Sequence, residues 1–344
     1  MSQPLILGFY IAPYRWVPYQ LDHRPSPSES RTIAHTYELG NGITLYFQCQ
    51  GMLVASFPRN LVPGGNRPQT VANLLHLDTQ RWVLNFFNAF RFALDNATPA
   101  SSSCHTQAIF DADIYTFHSN TSSDPSTIAS EQSAPLLDQA RVFRGEEDIL
   151  KIRLGYGEIG KNHFMRIPIS LKELNDSCNL ISQLISDFDR NIELLALLNE
   201  AAFLILQADF HRSLITSWAV CEHLINREWE NYLDSTSQDL DGQQKRRTLN
   251  SDRRRALVKG SDWTAFSKLE VLELAKRLPF QLFSDLQAIR TARNKWLHTL
   301  DFIERDVAQT SFRVGRDLMS RKLGIELTHR GSHYVDAAAF KNQL

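Results

Sequence analysis

Between residues 281 and 299 apolar and polar positions separate on a 3.6-residue period. Leu282, Leu286, Ile289 and Trp296 gather on one face, Arg290, Asn294 and His298 climb beside it at four-residue steps, and Arg293 falls near the seam. The period predicts a helix. Its polar end brings together a fixed positive charge, an amide that donates and accepts, and an imidazole that titrates near neutrality, which is the chemistry of a phosphate site.

The rest of the chain divides by pattern. Up to about residue 78 short apolar runs are punctuated by turn residues: a strand over 5–11 ended by Pro13, a hairpin over 36–47 around Gly40-Asn41-Gly42, and a strand over 52–57. A helix is predicted over 79–94, with Trp82, Phe86, Ala89 and Ala93 on one side, and a strand within 108–117. Residues 119–126 read as a surface loop, 148–154 as a further strand, and Gly155, Gly157 and Gly160 as a glycine-rich turn without the βαβ setting of a nucleotide site.

After Pro168 helix formers dominate. Ser170 and Glu173 have capping-box spacing, and breaks fall around Asp189 and near Asp209. The polar segment 235–260 holds Lys245, Arg246, Arg247 and Arg253, Arg254, Arg255. Helices then follow over 263–278, ended by Pro279, over the 281–299 stretch, and over 304–323. The expected fold class is an α+β N-terminal domain with a modest β-sheet over 1–168, followed by an all-α bundle over 169–344.

The 344 residues are 43% apolar, ample for two cores, and 37 Lys+Arg against 38 Asp+Glu leave a net charge of −1. No global charge marks a nucleic-acid binder, so attraction to RNA must come from local patches. Cys49, Cys104, Cys178 and Cys221 form no C-x-x-C pair and read as free thiols of a reducing cytosol. The first ten residues lack the features of a secretory signal, and Glu193 and Glu200 interrupt the richest apolar run, so a cytoplasmic protein away from membranes is expected. His329 and His333 have metal-compatible spacing but no third ligand nearby; neither metal nor cofactor is expected.

Arg293-Asn294-Lys295-Trp296-Leu297-His298 resembles the Arg-polar-x3-His signature of HEPN domains, helical domains that include metal-independent ribonucleases, and its surroundings most resemble the Apea-like branch. The resemblance covers about residues 185–325. It implies an endoribonuclease of a prokaryotic defence or toxin type, acting on RNA as a homodimer through the HEPN-like domain, with an antitoxin or other regulatory partner. It equally admits a non-catalytic dimeric module that binds nucleotide or RNA or serves as a scaffold. Leu300 stands where the branch paired with nucleotidyltransferase antitoxins carries a tyrosine, which argues against regulation through that residue.

Under this resemblance Arg293 and His298 are catalytic, with Asn294 beside them. HEPN domains often place an acidic or polar residue on the preceding helix, and Glu222, which the helical period sets among Ile215, Trp218, Ile225 and Trp229, takes that role. A purely structural Glu222–Arg293 ion pair would leave the same sequence trace. His298 alone would also suit a helix C-terminus. Arg290, Lys295 and the two basic triplets are candidates for holding an RNA backbone, beside the plainer reading as solvated charge.

Overall fold

The computed structural model describes residues 4–10, 32–49, 51–63, 77–98, 109, 114–117, 124–129, 133–135, 169–238, 251–260 and 263–329. The chain forms two compact units, residues 1–199 and 200–344.

The first unit is α+β. Strands β1 (Leu5–Tyr10), β2 (Ile33–Glu38), β3 (Thr44–Gln48), β4 (Met52–Phe57), β5 (Ile114–Phe117) and β6 (Ser133–Pro135) form one sheet in the order β2-β3-β4-β1-β5-β6, every pairing antiparallel. The β2–β3 hairpin turns where expected. Asn41 and Gly42 there adopt φ of 61° and 76°, left-handed values that asparagine and glycine tolerate best. In register, Leu7 faces Ala55 and Phe9 faces Leu53, while Leu45 and Phe47 face the same two β4 residues from the other side. The two-residue period gathers these side chains on one face.

Helix α1 (Leu77–Ala97) covers that face with aromatic rings. Phe87 packs on Phe9 at 5.0 Å, Phe90 on Phe47 at 5.9 Å, and Phe86 edge-on to Phe57 at 5.0 Å. Such pairs add about 0.5–1.5 kcal/mol each beyond area burial. Ile6, Tyr46, Met52, Val54 and Phe117 cluster on the other face. At β1 a side chain on Gly8 would place Cβ 2.6 Å from the Leu53 carbonyl oxygen, so the close approach of β4 needs glycine.

The expected one-sided α1 is buried on nearly every side, including Arg91 and Asp95, which pair at 2.8 Å. Its second cover is α3 (Leu171–Gln183), which packs on α1 and buries Leu174, Cys178 and Ile181. The capping box of α3 is formed as predicted between Ser170 and Glu173. Tyr37 donates to Asn179 at 2.6 Å, and Trp82 Nε1 donates to Asp189 at 2.8 Å at the start of α4 (Phe188–Leu206). These bonds tie the helices after Pro168 to the sheet, so the division falls at 199/200, inside α4, rather than at 168/169. Pro125–Ala129 forms a short helix, α2, led by Asp124, where the sequence suggests loop. The strand and glycine turn expected over 148–160 lie outside the described residues.

The second unit is all-α: α5 (Phe210–Gln238), α6 (Ser251–Lys259), α7 (Ala265–Leu274), α8 (Phe280–Thr299) and α9 (Arg305–Leu323). Helix α6 and the end of α5 occupy part of what reads in sequence as a polar loop. Helices α5 and α9 pack closely where small residues meet: the Ser217 and Ser311 hydroxyls lie 2.6 Å apart, both fully buried, next to Gly315. Lys268 of α7 is buried and donates to Asn226 of α5 at 2.7 Å and to the Val258 carbonyl of α6 at 3.3 Å, joining three helices. Helices α5 and α8 run antiparallel, for Arg277 just before α8 donates to Ser235 near the end of α5, while Trp296 near the end of α8 meets His211 at the start of α5. Among the described residues no helix is long and apolar enough to cross a membrane.

Candidate functional site

Helix α8 starts after Pro279 and stops at Leu300, whose φ of 55° ends the helix while its N–H donates to the Trp296 carbonyl at 2.7 Å. Leu282, Leu286 and Ile289 are buried. Each four-residue step advances about 40° around the helix, so the polar line drifts outward: Arg290 and Asn294 are half-buried and His298 is exposed.

Arg293 follows Ile289 by four residues and continues the apolar stripe. Its guanidinium is accordingly half-buried, with Nε enclosed and without a hydrogen-bond partner among the described residues. Nη1 donates to the Asn294 side-chain oxygen at 2.9 Å, which orients the group. Five residues separate Arg293 from His298, so the two leave α8 about 140° apart. The structure therefore joins Arg293 to Asn294 and carries His298 out on another flank of the same helix end.

The remaining candidates separate. Glu222 is exposed, because the buried stripe of α5 runs through Leu214, Ser217, Trp218, Cys221, Leu224, Ile225 and Trp229 and Glu222 falls just outside it. It makes no ion pair with Arg293, which corrects the placement on an apolar face; its charge acts instead on Lys268, where it partly offsets the lowering of the ammonium pKa by burial. Arg290 lies over the Phe266 ring at 4.9 Å and donates to Gln287 at 3.3 Å, a packed cation rather than a free one. Lys295 pairs with Asp301 at 3.1 Å, and that ammonium, with the Thr299 hydroxyl, holds the Asp301 carboxyl below the usual carboxylate range.

Arg253, Arg254 and Arg255 belong to helix α6 and not to a loop; Arg254 is bound to Asp234 and lies 3.8 Å from Glu230 of α5. Almost the whole length of the 29-residue α5 separates that pairing from His211, roughly 35 Å at 1.5 Å per residue. Lys245, Arg246 and Arg247 lie outside the described residues. His329 is buried with its ring 5.5 Å from that of Phe312, and His333 is not among the described residues.

One group escaped the sequence reading. Asp209 precedes α5 and its carboxylate takes up His211 Nε2 at 3.1 Å and Arg212 Nη1 at 3.3 Å, while the His211 ring stacks on Trp296 at 5.5 Å with the planes 20° apart. The only trace in the sequence is the helix break at Asp209, an N-cap residue type; nothing local reports that α8 ends beside it. Neither a family model, a curated protein nor a solved structure matches this chain.

Proposed function

We propose that the helical unit is a metal-independent endoribonuclease of a prokaryotic defence or toxin type, working as a homodimer in the cytoplasm, with the sheet-containing unit as sensor or regulator. The observation that carries this reading is the end of α8: an exposed imidazole at His298 and a half-buried guanidinium at Arg293 oriented by Asn294. RNA supplies its own nucleophile. A base removes the 2′-OH proton, the 2′-oxygen attacks phosphorus, and the 5′-oxygen leaves as it is protonated, giving a 2′,3′-cyclic phosphate and a 5′-hydroxyl. His298 exchanges protons and Arg293 stabilises charge on the phosphorane.

One imidazole does not serve as base and acid in the same step. Two copies apposed at their α8 ends, with exposed Leu297 and Leu300 flanking each His298, would bring two histidines to one cleft. An antitoxin or regulatory partner would then act by blocking this end or the apposition.

Initial rates of RNA cleavage in EDTA by wild type, Arg293→Ala and His298→Ala test the reading. Cleavage by wild type alone supports it; equal cleavage by His298→Ala would falsify it. The second reading, a non-catalytic dimeric binder of nucleotide or RNA or a scaffold, is favoured by one feature: the exposure of His298, which leaves the imidazole open to a ligand. Under that reading His298→Ala weakens binding and wild type never cuts.

A further inference from the structure

Where α5 begins and α8 finishes, the helical unit is lined with rings. The His211 imidazole lies on the Trp296 indole and is half exposed, at 50%. Phe210 meets Phe302 edge-on at 6.5 Å, and Phe302 is 81% exposed. The fold does not bury that ring, and exposed large apolar groups mark sites of interaction.

Two cations interleave with these rings. Arg212 follows His211 and Lys295 precedes Trp296, each in an exposed ion pair, with Asp209 and Asp301 respectively. Exposed pairs contribute about 0–1 kcal/mol, so phosphate oxygens can take over these cations. The carboxylates also limit how much anion the end tolerates, which favours few phosphates over a long duplex backbone.

A dimer that apposes the α8 ends has to draw most of its contact from other surfaces, because this end offers three exposed apolar side chains, Leu297, Leu300 and Phe302, where a stable interface takes roughly 20–30 residues a side and depletes lysine from its core; the rings are thus left to a ligand. Exposed rings beside exposed cations match an unpaired nucleotide, whose base stacks while its phosphate meets the charge. A duplex keeps its base faces inside its own stack.

We propose that His211, Trp296, Phe210 and Phe302 form a base-stacking shelf for single-stranded RNA, with Arg212 and Lys295 on its phosphates. The inference rests on the RNA-directed reading above and adds the substrate class, an unpaired strand. Trp296 and His298, two residues apart, leave α8 on roughly opposite flanks. The shelf and the reactive histidine thus lie on opposite flanks of one helix end: a strand crossing the end of α8 holds its bases on one flank and offers a phosphodiester on the other.

Anisotropy of a labelled single strand of about 12 nucleotides, and of its duplex, measured on the full chain carrying His298→Ala, tests this. The single strand should bind at least about tenfold tighter than the duplex, and Phe302→Ala or His211→Ala should each lower its affinity about five- to a hundredfold, while Phe302→Trp retains it. Melting curves establish that each variant is folded. Unchanged affinity in both alanine variants, or equal binding of both RNA forms, overturns the shelf. So does loss of self-association in Phe302→Ala with RNA binding intact, an outcome that assigns the rings to a second copy. Cleavage by the chain with native His298 separates the two ideas: ring-dependent binding without cleavage keeps the shelf and removes the nuclease, whereas cleavage with ring-independent binding removes the shelf alone.

Discussion

Arg293 donates through Nη1 to the side chain of its own neighbour, Asn294, at 2.9 Å, while its Nε is enclosed. A guanidinium held this way presents a fixed edge to an incoming anion, with less orientation left to lose on binding.

On the proposed activity, Arg293→Lys should therefore fail to restore what Arg293→Ala removes, because an ammonium reproduces the charge but not the fork. His298→Ala should lower the cleavage rate about 10²–10⁴-fold. Its stability should change by no more than about 0.5 kcal/mol, since the residue is exposed. Initial rates in EDTA beside urea unfolding curves check both halves; a large stability loss in His298→Ala would show that the residue is structural.

Lys268 joins α5, α6 and α7 through Asn226 and the Val258 carbonyl. Burial lowers its pKa from the ordinary 10.5, with Glu222 and Glu230 opposing. In the window just below 10.5 the unfolded chain holds a proton that the folded chain has released, so this group makes stability rise with pH there. Unfolding curves across that window should show the rise in wild type and a smaller one in Lys268→Met. Lys268→Ala should in addition lose about 1–3 kcal/mol by leaving the part-buried Asn226 and Val258 acceptors without this donor.

Burial pushes the Cys178 thiol up to about 12 and the Cys221 thiol further, and Cys49 is buried as well. A thiol reagent at pH about 8 meets almost no thiolate at Cys178 and Cys221, and burial keeps it from Cys49. Labelling followed by peptide mapping should find all three protected in the native protein and modified once denaturant is added.

The Arg91–Asp95 pair in α1 is 0% and 4% exposed. Removing one partner breaks a buried ion pair, so Asp95→Ala should cost about 3–5 kcal/mol. Replacing both by apolar residues of similar volume, Arg91→Met with Asp95→Leu, should cost much less than that. Chemical unfolding of the single and double variants measures the difference; equal losses would mean that the pair is held mainly by its other neighbours.

Much of this molecule is legible along the chain. The β2–β3 hairpin, the capping box at Ser170, the stop at Pro279 and the buried line Leu282, Leu286, Ile289 follow from backbone preferences and side-chain period, which act over a few residues. The same period predicts that Arg290, Asn294 and His298 share a line, and their rising exposure follows that line.

Tertiary packing decided what the period could not. It buried α1 on both sides and drew α3 to the sheet, which moved the division between units from 168 to 199. It left Glu222 outside the stripe it was assigned to, turned Arg254 toward Asp234, and laid His211 on Trp296, residues far apart in sequence. The physical reason is range: a helix or hairpin is selected by dihedral preferences within one stretch, whereas burial and pairing depend on which distant element covers each face.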